Sequence, residues 1–290
     1  MLLFIAYYLI SPVLFCLLIL ISPFNKKVKT VLRQQKKSLQ NIKTKLNTNK
    51  KKIIIHAASA GEYEQIKPIL KTIDQSIYFI IVTCMSPTIY ESIKNDKLSD
   101  AYCYHPFDFP WSPKSFFGYI KPSIYLTTRH DIWPMHLYSA KKMGIKTIII
   151  NANLYKESSR LKWYAINFTR YIFNLFDIII VPSKRIQYVF NEKLKINNTY
   201  LVSDTRFEQV IHRKEKSKKI PSLQCIDGLN NIIFGSIGSD DLDLFSNFQS
   251  SSKGYFFSNQ NFFFNYIIIV PHEIDLKLIK KIQSFFPESI

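Results

Sequence analysis

The chain has 290 residues, 47% hydrophobic and 21% charged, with a formal net charge of +18. The hydrophobic fraction excludes a disordered chain, and the length allows one large domain or two small ones. Four cysteines at positions 16, 84, 103 and 225 contain no C-x-x-C spacing, which argues against a disulfide scaffold and a structural zinc site. A charge of that size points to a polyanionic partner: nucleic acid, anionic lipid or a phosphorylated substrate.

The charge is localised. Leu2 to Pro23 is 22 residues without an ionisable side chain. As a helix this run spans roughly 33 Å, about one hydrocarbon core, and predicts a transmembrane anchor (residues 1–24) kinked at Ser11-Pro12. No basic stretch precedes it and no A-x-A-like site follows, which argues against a cleaved signal peptide. Residues 25–52 then hold eleven Lys or Arg and no acid. By the positive-inside rule the rest of the chain lies in the cytoplasm. The same collar suits anionic headgroups, at about 1 kcal/mol per basic residue near the surface.

After the collar, short apolar runs alternate with helical periodicity. Ile53–Ala57, Tyr78–Thr83, Ser123–Thr127, Lys146–Ile150, Ile178–Val181 and Thr199–Val202 read as buried strands. Helices are predicted over 62–74, 87–97, 133–143, 158–176 and 184–194. This is the pattern of βαβ units in a Rossmann-like, doubly wound parallel sheet from 53 to 205. The aromatic residues of 158–176, Trp163, Tyr164, Phe168, Tyr171, Phe173 and Phe176, read as core. Residues 206–230 read as a polar linker. A second α/β unit starts at Asn231 and runs to 290, with strands at Asn231–Phe234 and Tyr266–Val270 and a helix from Asp275 to Phe286. Its 60 residues are fewer than an independent domain usually has, so it reads as incomplete. Residues 246–265, rich in Ser, Asn and Phe, are poor helix material and an aggregation hazard.

Ligands of open α/β sheets bind beyond the carboxyl ends of the strands. His56-Ala-Ala-Ser-Ala-Gly-Glu62 follows the first strand; Ser59 and Glu62 have capping-box spacing, and Glu62 can equally serve as a general base. Ser86-Pro87 after the second strand is either a plain helix start or an anion-binding N-terminus, with Cys84 an inert buried thiol. Arg129, His130, Asp131 and Trp133 cluster after the third predicted strand. Asn151-Ala-Asn-Leu154 and Ser158 follow the fourth, where Ser158 and Ser159 can simply cap a helix.

Together with Pro106-Phe-Asp108, Ser203-Asp-Thr-Arg-Phe207, Gly235-Ser236 and Val270-Pro-His-Glu273, these motifs resemble, in order and spacing, the 3-deoxy-D-manno-octulosonic acid (Kdo) transferases of lipid A biosynthesis. The resemblance implies a GT-B fold of two Rossmann-like domains, an acceptor-binding N-terminal one and a donor-binding C-terminal one. It implies inverting transfer from CMP-Kdo to a lipid A precursor, with no metal and no cofactor. It places the catalytic base at Glu62 and a supporting acid at Asp131, where the common pattern of two glutamates becomes Arg129 and Asp131. It implies substrate contacts at Ser59, Gly61, Ser86, Arg129, Asn151, Ser158 and Arg206, and donor contacts at Ser236, His272 and Glu273. The family's later donor motifs would follow residue 290. The alternative is an inactive remnant or acceptor-binding fragment of such an enzyme. A nucleic-acid binder lacks any supporting motif, because the basic run is already explained by the anchor.

Overall fold

The computed structural model describes residues 2–216, 228–251, 254–257 and 263–286. The chain divides into two compact units, Met1–Lys216 and Ser217–Ile290. The first is built on seven strands: β1 (Lys51–Ala57), β2 (Tyr78–Cys84), β3 (Ala101–Tyr104), β4 (Ile124–Thr128), β5 (Lys146–Ile150), β6 (Ile178–Val181) and β7 (Thr199–Leu201). They form one sheet in the order β3-β2-β1-β4-β5-β6-β7, and every neighbouring pair is parallel. The order reverses direction at β1, as in a doubly wound sheet.

The helices are α1 (Leu2–Ile21), α2 (Lys26–Asn41), α3 (Ala60–Thr72), α4 (Pro87–Asp96), α5 (Ser112–Ile120), α6 (Pro134–Lys142), α7 (Ile166–Phe173), α8 (Lys184–Tyr188) and α9 (Thr205–Lys216). Central strands are apolar throughout because helices cover both faces. Ile54 joins Ile81, Tyr125, Phe117 and Leu137 on one side. Its neighbours Ile53 and Ile55 point the other way, into Val82, Tyr63, Ile66 and Ile89.

Four expectations change. β3 and α5 are additional elements; β3 has only four residues, and α5 carries Pro113 and Gly118. The helix expected over 158–176 breaks into a 3-10 turn at Ser159–Leu161 and α7, because Lys162 is extended and Thr169 donates to the Arg160 carbonyl. Phe173 and Phe176 are core, but Trp163 is 86% exposed and Tyr164 is exposed as well. The stretch from 206 begins as helix, not linker. α9 lies along α3, with the Thr205 hydroxyl donating to the Gln65 carbonyl and the Gln209 amide to Glu64. Residues 217–227 of the expected linker lie outside the described residues.

The fourth change concerns the expected transmembrane anchor. No helix among the described residues is long and apolar enough to cross a membrane. One face of α1 docks on the first unit. The Tyr7 hydroxyl donates to the Asp108 carbonyl at 2.7 Å, Ser11 is buried, and Phe15 meets Phe109 and Trp111 edge-on. A helix held this way cannot have lipid on all sides. Its other face exposes Tyr8, Leu9, Val13, Leu20 and Ile21. α2 buries Val31 and Ser38 and leaves Arg33, Lys36 and Lys37 exposed. It is tied to the sheet edge: Tyr104 N donates to the Ser38 hydroxyl, and the Gln35 amide to the His105 carbonyl.

In the second unit β8 (Asn231–Ile237) pairs in parallel with β12 (Tyr266–Pro271). A 3-10 segment, Ser239–Asn247, and helix α10 (Leu276–Phe285) complete a small core of Ile237, Leu242, Phe245, Leu278, Ile282 and Phe286. Within the Ser/Asn/Phe-rich stretch, β9 (Phe248–Ser251), β10 (Gly254–Phe257) and β11 (Phe263–Phe264) form an antiparallel sheet, while 252–253 and 258–262 lie outside the described residues.

Candidate active site

The carboxyl ends of β1, β2, β4 and β5 carry the polar residues singled out from the sequence. At the start of α3 the capping box is formed. Glu62 N donates to the Ser59 hydroxyl, and the Glu62 carboxylate accepts from Ser59 N at 2.8 Å through Oε2. Among the described residues Oε1 makes no hydrogen bond. Glu62 is half-buried, and its carboxyl is held above the usual glutamate range, chiefly by burial and next by the charge of Asp131; the bonds from Ser59 and the nearby His56 oppose this. Gly61 is exposed, and a Cβ there would meet nothing within 4 Å.

Asp131 sits in the loop after β4. Its Oδ1 accepts the Trp133 indole N–H at 2.7 Å, and its Oδ2 lies 3.0 Å from His56 Nε2. That approach is off the line of a good N–H···O bond, so both atoms remain without an aligned hydrogen bond although both are buried. His56 stands on β1 with Nδ1 2.9 Å from the Thr83 hydroxyl of β2.

Behind His56 lies a feature that sequence reading missed. His105 follows β3 and His136 lies on α6, and both are fully buried. The ring centroids run His56–His105 at 4.0 Å and His105–His136 at 4.3 Å. His105 Nδ1 is 2.8 Å from the Pro106 carbonyl, an acceptor only, so it donates; Nε2 then accepts from the Tyr125 hydroxyl at 2.9 Å. Burial holds His105 well below the usual imidazole range, assisted by the two neighbouring histidines. His136 Nδ1 donates to Asp108 at 2.7 Å, and Asp108 also accepts from Met135 N and His136 N at the start of α6. Burial lowers His136 too, against the pull of Asp108. The only local hint was a polar residue at each site, since β3 and α6 bring them together from distant positions.

The other predicted residues separate into two groups. Ser86 occupies the N-cap position of α4 without a capping bond from its side chain, which leaves the hydroxyl at the helix start. Cys84 is buried, its thiol pushed up to about 12 by burial, in keeping with an inert thiol. Arg129 follows β4 with a left-handed backbone, φ 52°. Arg160, not anticipated, is half-buried; Nη1 has no partner, and burial alone lowers its affinity for the proton. His130 feels both guanidiniums, after burial, as lowering influences.

Asn151, Ser158 and Arg206 are engaged internally. Asn151 is buried at φ 51°; its amide donates to Thr205 Oγ1 and Gln65 Oε1, so it ties the end of β5 to α3 and α9. Ser158 caps the 3-10 turn by accepting from Arg160 N. Arg206 is exposed and its guanidinium grips Asp204 at 2.7 and 2.9 Å. In the second unit Ser236 adopts φ 65° and its hydroxyl lies 2.7 Å from His272 Nδ1, with Glu273 exposed on the following turn. Among the described residues no group of three His, Cys, Asp or Glu could hold a metal ion.

The profile of the family described as 3-deoxy-D-manno-octulosonic-acid transferase (kdotransferase) matches residues 31–209, more than half of the chain and all seven strands of the first sheet. The chain belongs to the Kdo transferase family. Curated relatives agree. The Kdo transferase of Aquifex aeolicus is 33% identical over 40% of this chain and 30% of its own length. That of Chlamydia muridarum is 23% identical over 66% of this chain and 46% of its own length. The matched part thus spans less than half of each relative. Solved structures show the fold alone. A UDP-GlcNAc 2-epimerase from Neisseria meningitidis, bound to UDP-GlcNAc, superposes with a TM-score of 0.59 at 13% identity, covering 82% of this chain and 70% of that one. A Staphylococcus aureus MnaA structure with UDP gives 0.59 at 10% identity, covering 82% and 66%. The family match thus covers the first unit, and the α/β fold is of the GT-B kind.

Proposed function

We propose that the protein transfers Kdo from CMP-Kdo to a hydroxyl of a lipid A precursor, with Glu62 as general base. In this reading Glu62 takes the acceptor hydroxyl proton, the oxygen forms the new bond at the anomeric carbon with inversion, and CMP departs with the electron pair of the broken bond. The observation that carries it is the environment of Glu62: one carboxylate oxygen anchored by Ser59 N, the other unengaged, and an ionisation raised toward neutrality by burial and Asp131. Arg129 and Arg160 supply positive charge for the anionic groups of both substrates. The Ser236–His272 pair of the second unit is a proposed donor contact.

The outer face of α1, with the Lys and Arg of α2, is proposed to rest on the cytoplasmic face of the inner membrane, where such an acceptor is found. An apolar helix flanked by basic residues favours an in-plane seat on an anionic surface. The test is transfer of Kdo to a tetraacylated precursor, followed by mass spectrometry. The wild type should add Kdo, and E62Q should lose activity by about 10²–10⁴-fold while staying folded. Transfer by E62Q at the wild-type rate removes Glu62 from the role. Retained precursor binding with no transfer by the wild type instead supports an acceptor-binding unit.

A further inference from the structure

The proton transfer assigned to Glu62 leaves the buried histidines behind it without a role. Three imidazoles in contact, flanked by Asp131 and Asp108, are an expensive arrangement to keep dry unless their hydrogen bonds are used. Two are held by structure: His105 at both nitrogens, between Pro106 and Tyr125, and His136 at Nδ1 by Asp108, its buried Nε2 meeting no partner among the described residues. His56 is different, because its Nε2 faces the one carboxylate that flanks Glu62. From the geometry we infer that His56 is a positioning residue, whose Nε2–H aims the Asp131 carboxylate within the assembled site. The inference rests on the reading of Glu62 as base.

The chemistry of the partners sets the direction of the bond. A carboxylate oxygen only accepts, so Nε2 must donate to it, while the Thr83 hydroxyl on the far side can donate to Nδ1. Trp133 pins Oδ1, which leaves Asp131 free only to swing Oδ2 about that point. The 3.0 Å approach, off-axis and buried on both sides, needs only that swing to become a full hydrogen bond. Catalytic contacts of this kind are often loose without substrate and tighten with it. His105, tilted against it with centroids 4.0 Å apart and itself bonded at both nitrogens, keeps the His56 ring from retreating. The titratable groups around His56 are Asp131 after β4, Glu62 on α3, His105 after β3 and, one ring further, His136 with Asp108; Tyr125 of β4 faces His105.

Three variants test the assignment. H56Q keeps a terminal N–H donor, H56F keeps a ring and loses the donor, and D131N changes the acceptor. The expected result is that H56F lowers kcat by about 100-fold with KM unchanged, as for a misplaced catalytic group. H56Q should retain kcat within about threefold, and H56F/D131N should lose no more than D131N alone. Equal losses in H56F and H56Q, or losses that multiply in the double variant, overturn the inference. Should H56F not fold, long-range ¹H–¹⁵N spectra of the wild type decide. His56 protonated at Nε2 is expected, and a bare Nε2 with Nδ1 protonated overturns it. E62Q run alongside separates the two claims, since an active E62Q sinks the base assignment while the His56 tautomer and the Gln–Phe contrast still judge this one.

Discussion

Glu62 divides one carboxylate: Oε2 closes the capping box, and Oε1 makes no hydrogen bond among the described residues. Because its folded value is raised, the base form is lost on acidification sooner than a solvent-exposed glutamate would lose it. The acid limb of kcat against pH should therefore fall at a pH above the ordinary glutamate range. A D131N variant removes the second-largest cause and should move that limb to lower pH. The same raised ionisation makes the buried carboxylate a burden on the fold at neutral pH, a burden absent below the unfolded value. E62Q, which can still occupy the capping position, should melt no lower than wild type at pH 7 and identically in acid. Asn151 predicts the opposite. N151A loses bonds to Thr205 and Gln65 and keeps a left-handed backbone without the side chain that tolerates it; it should lower unfolding free energy by ~2 kcal/mol in urea titration. Ser59, Glu62 and Asp131 were legible because their chemistry is local, a cap and a polar strand end. Asn151 was legible as a polar strand end for the same reason, while its bonds to Thr205 and Gln65 show only in the fold. His105 and His136 acquire meaning from partners 20 and 28 positions away in sequence, beyond the reach of any spacing rule.

Among the elements, strands with three or more consecutive β-branched or aliphatic residues were legible, since parallel strands covered on both faces must be apolar throughout. β3 escaped because Ala101-Tyr-Cys-Tyr104 is short and carries no aliphatic run; it forms at the edge under the cover of α2 and α4. The 158–176 helix was over-read because Ser158 and Ser159 favour caps and turns over a continuous helix, and the backbone at Lys162 is extended. α1 shows the limit of hydropathy most directly. Composition measures how apolar a helix is, not which side is already covered, and Tyr7, Ser11 and Phe15 cover one side. If its outer face meets lipid, L9K/V13K should abolish flotation with vesicles in about 1 M salt while leaving the melting temperature within about 2 °C, because both side chains are exposed in the fold.

For the whole molecule, eleven of the charges behind the net +18 that first suggested nucleic acid sit in a collar whose α2 part lies exposed on a docked helix. Binding to phosphatidylglycerol vesicles should weaken between 0.1 and 1 M salt, as the screening length falls from about 10 to about 3 Å, yet not vanish, because the α1 face is apolar. Complete loss in salt would make the attachment purely ionic.

The tethers between the N-terminal helices and the sheet edge bear on how a soluble form of the protein should be made. Tyr7 caps the carbonyl of Asp108, Gln35 that of His105, and Ser38 receives the N–H of Tyr104. Cutting away the first 41 residues to gain solubility would strip all three partners from the stretch that anchors the histidine column. Repainting the outward side chains of α1 with polar ones, with the helix left in place, is the edit that spares the chemistry.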